Sequence, residues 1–207
     1  MTNSSTRRGR PKSTEKRRAL LDASAALFLI NGYDKTSMDA VSNEAGVSKQ
    51  TLYSHFANKD QLFRACITAK VEDHGLDLSW ADNATPIEET MTRFGVMLIG
   101  LFNDPKVLAM YRLLMAESEH HPQLCQAFHE AGPLATKRLL ANYLTEQAER
   151  GRLNIDDPLE AAELFVSVIE RNMLVKKLLG VRDTPSPHDL EAFVRKRVRW
   201  FLNAQTP

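Results

Sequence analysis

The chain has 207 residues, enough for one large or two small domains. With 43% hydrophobic and 26% charged residues it has the composition of a globular protein, not of a fibrous or low-complexity chain. The net charge of +1 hides an asymmetry: residues 1–64 hold 11 Lys/Arg against 6 Asp/Glu, while residues 65–207 hold 16 against 20. A basic amino-terminal part on an acidic body favours a polyanion bound at one end.

The longest uncharged apolar stretch, Phe94–Phe102, falls far short of the ~20 residues a membrane span needs, so no membrane partner is expected. Lys16-Arg17-Arg18 followed by Ala19–Ile30 has the outline of a secretion signal, but Asp22 interrupts it and Asn31-Gly32-Tyr33-Asp34 is no small-residue cleavage site. Cys66 and Cys125 have no CxxC spacing, which predicts a reducing, cytoplasmic setting without a disulfide framework.

Residues 1–13 have no apolar pattern and read as a flexible basic arm. Arg8-Gly9-Arg10-Pro11 is similar to an AT-hook core, which makes Arg8 and Arg10 candidates for a narrow minor groove; a merely solvated leader fits the same residues. Lys16–Asn31 is predicted as a helix with a stripe of Leu20, Ala23/Ser24 and Leu27, ended by Gly32.

Thr36–Phe56, TSMDAVSNEAGVSKQTLYSHF, follows as two short helices around a turn. Thr36 is expected to cap the first, with Asp39 completing a capping box. Gly46 supplies the turn and Ser48 caps the second helix, where Leu52 and Phe56 share a buried face. Lys49, Gln50, Tyr53 and Ser54 point elsewhere. The pattern is a helix-turn-helix over residues 37–56 whose second helix is shaped for a DNA major groove. Asn58, with Gln61 as its reciprocal partner, caps a further helix running to about Gly75. Lys59 in its first turn is disfavoured by the helix dipole and would make sense beside a DNA phosphate.

Glu44–Phe63, EAGVSKQTLYSHFANKDQLF, resembles the signature of the TetR family of bacterial transcriptional regulators. Gly46-Val47-Ser48, Thr51-Leu52-Tyr53, His55-Phe56, Lys59 and Leu62-Phe63 carry the match; Ser42 departs from the Ala more usual in the family. The motif covers about the first third of the chain, and the rest matches only in length, helical character and layout. The resemblance implies phosphate contact by Lys59, a small-molecule sensor in the second domain, and a homodimer.

After a loop from Gly75 to Pro86, no strand alternation is sustained. Helices are predicted over Pro86–Asn103 capped by Thr85, Pro105–Glu119 capped by Asp104, Pro122–Gly151 broken near Gly132-Pro133, Pro158–Gly180 capped by Asp157, and His188–Asn203. The expected fold is all-α: a flexible arm (residues 1–13), a three-helix DNA-binding domain (14–74) and a larger helical ligand-binding and dimerisation domain (75–207).

Backbone positioning on DNA is assigned to Thr36, Ser48, Tyr53, His55 and Lys59, and base reading to Lys49, Gln50 and Thr51. Gln pairs with adenine in bidentate fashion and Lys with guanine. A ligand pocket is assigned to Phe94, Met97, Leu101, Met110, Leu114, Glu117, Phe128, Phe165 and Ile169; the residues alone favour a solid core, and it is the family resemblance that implies the pocket. Arg171 is a second candidate polar anchor beside Glu117. The last two helices are apolar on more than one face, so Phe165, Ile169, Leu174, Leu178, Phe193, Val194 and Phe201 are assigned to a dimer interface.

His121, Cys125 and His129 share a four-residue spacing that can ligate a metal, but Pro122 fits a helix start that leaves His121 outside; no metal or cofactor is expected. No GxSxG, Walker A, HExxH or GxGxxG motif occurs, which argues against an enzyme. The expected function is a cytoplasmic, dimeric repressor that binds a palindromic operator and is released by an unidentified small hydrophobic ligand. An architectural protein coating DNA without an effector is the rival; the acidic body and large apolar second domain argue against it.

Overall fold

The computed structural model describes residues 12–82, 84–181, 186 and 189–205. All regular structure among them is helical: α1 (Lys12–Asn31), α2 (Met38–Glu44), α3 (Lys49–His55), α4 (Lys59–Asp73), α5 (Ile87–Asn103), α6 (Pro105–Glu117), α7 (Pro122–His129), α8 (Ala135–Glu149), α9 (Pro158–Glu170), α10 (Met173–Leu178) and α11 (Leu190–Ala204). Contacts divide the chain into two compact units that part between Cys66 and Ile67, within α4.

In the first unit, Leu20, Leu21 and Phe28 of α1, Val41 of α2, Leu52 of α3, Phe56, and Leu62 and Phe63 of α4 are buried together. Phe28 stacks on Tyr33 and meets Phe63 edge-on, with ring centroids 5.5 and 5.4 Å apart. Burial of each such ring or leucine contributes roughly 1.5–3 kcal/mol. Gly46 takes the left-handed φ of +64° that turns α2 toward α3, a conformation in which an added Cβ would be strained.

The second unit packs around α5, whose Met91, Phe94, Leu98 and Ile99 are buried. α11 and α9 lie on it, and α8 packs on α9. Phe165 joins the aromatic contacts, with centroids 6.3 Å from Phe94 and 5.3 Å from Phe201. At Gly95 the helices approach so closely that an added Cβ would lie 2.6 Å from Val194 Cγ1 and 3.3 Å from Ile169 Cδ1. Asp104 caps α6 through the amides of Lys106 and Val107, and Asp157 caps α9 through those of Leu159 and Glu160, both as expected.

The structure departs from the sequence reading at four places. Ser37, not Thr36, caps α2: its hydroxyl accepts from Ala40 N, while Thr36 is buried and donates its hydroxyl to Gly32 O at 2.8 Å. Thr85 does not cap α5; its hydroxyl bonds the Asp82 carboxylate and the helix begins at Ile87 after Pro86. Gly132-Pro133 does not break the helix but sits in a π-helical turn, Glu130–Leu134, that carries α7 into α8. A wider turn accommodates a proline whose missing amide would disrupt an α-helical ladder. The segment from Pro158 to Gly180 is two helices, because Arg171 and Asn172 both take positive φ, +42° and +62°.

Candidate nucleic-acid interface

α3 is short, and two local features fix it. Ser48 Oγ accepts from Thr51 N and meets Thr51 Oγ1 at 2.9 Å, closing the first turn. Leu52, fully buried, and Phe56 turn one side inward. Lys49, Gln50, Tyr53 and Ser54 consequently share the opposite face and are exposed, Tyr53 at 51%. Thr51 and His55 are half-buried at its margins. An exposed tyrosine beside a lysine and a glutamine, on a helix anchored from behind, is a surface that folding alone does not require.

The neighbouring charges are arranged less openly than the spacing suggests. Lys49 Nζ is paired with the Asp39 carboxylate at the start of α2. Both side chains are more than half exposed, so this pair is weak and can exchange for a phosphate or a base. Lys59 donates to the carbonyls of Tyr33 and Asp34 at 2.9 and 3.3 Å and lies 4.2 Å from the Tyr33 ring centroid. Those carbonyls explain a cation in the first turn of α4 without a phosphate. The Tyr33 hydroxyl donates to Asp60, and burial followed by that bond pushes its titration well above the ordinary range. Lys59 and Tyr33 together brace the loop before α2 against the start of α4. Asn58 caps α4 through Gln61 N at 2.9 Å, and Gln61 Oε1 reaches back to Ala57 N at 3.1 Å.

Of the ten residues assigned to DNA, Ser48, Lys49, Gln50, Thr51, Tyr53 and His55 are gathered on or beside α3. Thr36 is turned away into the first unit, and Arg8 and Arg10 lie outside the described residues. Ser37 and the Asp39–Lys49 pair escaped the sequence reading. Thr36 and Ser37 are adjacent cap candidates, and an acidic residue three positions after Thr36 decided for the wrong one; the absence of the usual Glu or Gln there was the available signal.

The assigned pocket residues do not gather into one wall. Phe94, Leu101, Phe165 and Ile169 belong to the main core with Met97 packed on it, whereas Met110 and Leu114 of α6 are buried apart from that cluster. Phe128 of α7 meets Tyr111 edge-on at 4.9 Å, and Glu117 lies 3.7 Å from His121. The dimer assignment needs a similar correction. Phe165, Ile169, Val194 and Phe201 are buried in the second unit's own core, and Leu174, Leu178 and Phe193 are half-buried. The outward apolar side chains are instead Leu159 and Leu164 of α9, Val175 of α10, Leu179 and Val181 just beyond it, and Trp200 of α11. Cys66 is buried beside Leu21 O, and burial pushes its thiol up to about 12, which keeps it protonated and unreactive. Cys125 donates to Leu114 O at 3.4 Å. Among the described residues no group of three His, Cys, Asp or Glu side chains is placed to hold a metal ion, and no helix is long and apolar enough to cross a membrane.

Comparison with known proteins meets this geometry. Residues 20–66 match the model of bacterial regulatory proteins of the tetR family, and residues 89–205 match that of the AefR-like transcriptional repressor C-terminal domain. The solved structure of the flavonoid-responsive regulator FrrA is 34% identical, aligned over 94% of this chain and 98% of that one with a TM-score of 0.73. A TetR-family transcriptional regulator from Mesorhizobium loti is 26% identical over 95% and 100% of the two chains, also with a TM-score of 0.73. The HTH-type transcriptional regulator YvkB of Bacillus subtilis is 25% identical over 86% of this chain and 90% of its own. With a capped, outward-facing recognition helix in the first unit and an all-helical second unit matched over more than half the chain, the protein is a DNA-binding transcriptional regulator of the TetR family, not an enzyme.

Proposed function

We propose that the protein is a cytoplasmic, homodimeric repressor that binds a palindromic operator and leaves it when a small hydrophobic ligand occupies the second unit. The observation that carries the DNA reading is the exposed face of α3. Lys49 and Gln50 sit in its first turn, where a recognition helix meets base edges, with Tyr53 one turn on. Gln50 reads adenine, Lys49 exchanges Asp39 for guanine, and Ser48, Thr51, Tyr53 and His55 hold the phosphates on either side. Arg8 and Arg10 add minor-groove contact. Lys59 acts through the loop it braces; Thr36 is a folding residue.

Repression is supported by the description of the matched carboxy-terminal family, an AefR-like transcriptional repressor domain. Dimerisation is supported by Leu164, Val175, Leu179 and Trp200, apolar side chains that the protomer leaves in water. The name of the flavonoid-responsive relative makes an aromatic polyphenol the first effector to try. Release requires a difference in ligand affinity between the DNA-bound and free states, of a few kcal/mol for near-complete switching.

The test is binding of a selected duplex with and without quercetin, after calorimetry has shown whether quercetin or another probe occupies the protein. Loss of operator affinity on occupancy supports release. A compound that occupies the protein and leaves operator affinity unchanged contradicts it.

A further inference from the structure

The inward stripe of α1 continues past the edge of the core. Leu20, Leu21, Ser24 and Phe28 are buried on one face of the helix, and Arg17 lies three and four positions before the first two, on the same face one turn earlier. A cation thus stands where the stripe runs off the apolar interior. Arg17 is exposed, and its guanidinium carbon lies over the Phe56 ring, 5.5 Å from the centroid. Phe56 is the C-cap of α3, and its ring centroid is 6.1 Å from that of His55 in the last turn of the same helix. The beginning of α1 therefore sets a positive charge at the carboxy-terminal end of α3.

The neighbouring cations are engaged within the fold. Arg18, one position on, is held by Asp22 at 3.1 Å, Lys49 by Asp39, and Lys59 by the carbonyls of Tyr33 and Asp34. Among the described residues no carboxylate pairs with Arg17. Contact with a ring gives its N–H donors no acceptor oxygen, so they remain for water or an anion. The last carbonyls of a helix carry about half a negative charge, which repels a phosphate. The last turn of α3 holds no Lys or Arg to offset it, only His55. A guanidinium at that end offsets the carbonyls and matches phosphate oxygens in bidentate geometry.

Given α3 as the recognition helix, on which this contact rests, we propose that the Arg17 guanidinium takes a DNA backbone phosphate beside His55 at the carboxy-terminal end of α3. Lys49 and Gln50 in the first turn meet the bases, and Arg17 fixes the far end of the helix on the backbone. Phe56 has a part in the contact as the surface on which the arginine rests. The rival role for Arg17 is to shield Phe56, which is only 4% exposed, with its apolar stem.

The test uses the full chain with its Arg17→Met and Arg17→Lys variants, a fluorescent random-sequence duplex, and sodium chloride from about 50 to 200 mM. Methionine keeps an unbranched apolar stem over Phe56 and removes the charge; lysine keeps both. Anisotropy should show the slope of log affinity against log salt reduced by about 0.9 in Arg17→Met, with the parental slope in Arg17→Lys. Affinity at low salt should fall several-fold in Arg17→Met while its thermal midpoint stays that of the parent. Parental slope and affinity in Arg17→Met overturn the phosphate contact alone and leave the α3 reading standing. A lowered midpoint with the parental slope also overturns it, because the arginine then only shields Phe56. Equal loss of slope in Arg17→Lys does the same, since lysine retains the charge. A parent chain that binds no duplex overturns the recognition-helix reading and the contact together.

Discussion

The helix-turn-helix and the last three helices are both short helical segments with exposed faces, yet they constrain their own folding very differently. α3 has two residues able to face inward, Leu52 and Phe56, so its polar side has one possible orientation. α9 and α11 carry more apolar residues than their inward faces can use. Phe165, Ile169, Val194 and Phe201 take the core positions, and Leu164 and Trp200 are left outside. A scarce apolar pattern specifies orientation, while an abundant one fits several rotations about the helix axis.

This difference predicts where substitutions do most damage. Leu52→Ala removes the principal inward side chain of α3 and is expected to destabilise the first unit by about 2–5 kcal/mol. Circular dichroism at the working temperature should show the loss together with loss of DNA binding. A comparable truncation of exposed Leu164 should leave monomer stability nearly unchanged; an equal loss at both positions would erase the contrast.

Gly95→Ala sharpens the comparison on the side of the second unit. Helix propensity alone favours alanine by about 1 kcal/mol. Here the added Cβ would meet Val194 Cγ1 at 2.6 Å, and overpacking of this kind costs about 1–3 kcal/mol. Urea unfolding should therefore show destabilisation; a stabilised variant would mean that α5 and α11 are packed less tightly than described.

Asp104 supplies a pH-dependent handle on the same unit. Burial raises its titration, but Lys70 Nζ at 2.5 Å, the amide of Lys106 and His74 Nε2 at 3.1 Å outweigh it and hold the carboxyl down at about 2, against an ordinary value of 3.8. A depressed acid stabilises the fold above its unfolded value and loses that contribution as pH falls through the folded one. The contribution, on the order of 2 kcal/mol, should be complete above about pH 4 and fade toward about pH 2. Asp104→Asn keeps a capping side chain and removes the ion pairs. The gap between its melting temperature and the parent's should close over that window; a constant gap would assign the effect to capping.

The smaller effects fall on the recognition helix. Ser48→Ala should destabilise α3 by about 1 kcal/mol through loss of the cap, seen as a lower midpoint for the first unit. Asp39→Asn frees Lys49 and removes an exposed negative charge beside the recognition face, so DNA affinity should rise several-fold and most at low salt. Weaker binding by this variant would mean that Asp39 orients Lys49 for its contact.

The family motif, the all-helical architecture and the caps at Ser48, Asn58, Asp104 and Asp157 were legible in the sequence because each rests on residues a few positions apart. The rest depended on relations that no local pattern holds. Thr36 and Ser37 compete for one cap, and the loser is settled by the Gly32 carbonyl. Lys59 reads as a phosphate ligand until Tyr33 and Asp34 are folded against it. The Pro133 turn and the Arg171–Asn172 break depend on how α7, α8, α9 and α10 pack, which also decides which rows of α9 and α11 face inward.

The central claim is that the exposed face of α3 reads bases. It is tested most directly by selecting random duplex DNA with the parent protein and with Gln50→Ala, and sequencing what each retains. A palindromic motif for the parent, with preference lost at the same position in both half-sites for the variant at a cost of about 1–3 kcal/mol, is the expected result. Retention without a motif, or an identical motif for both proteins, would contradict it.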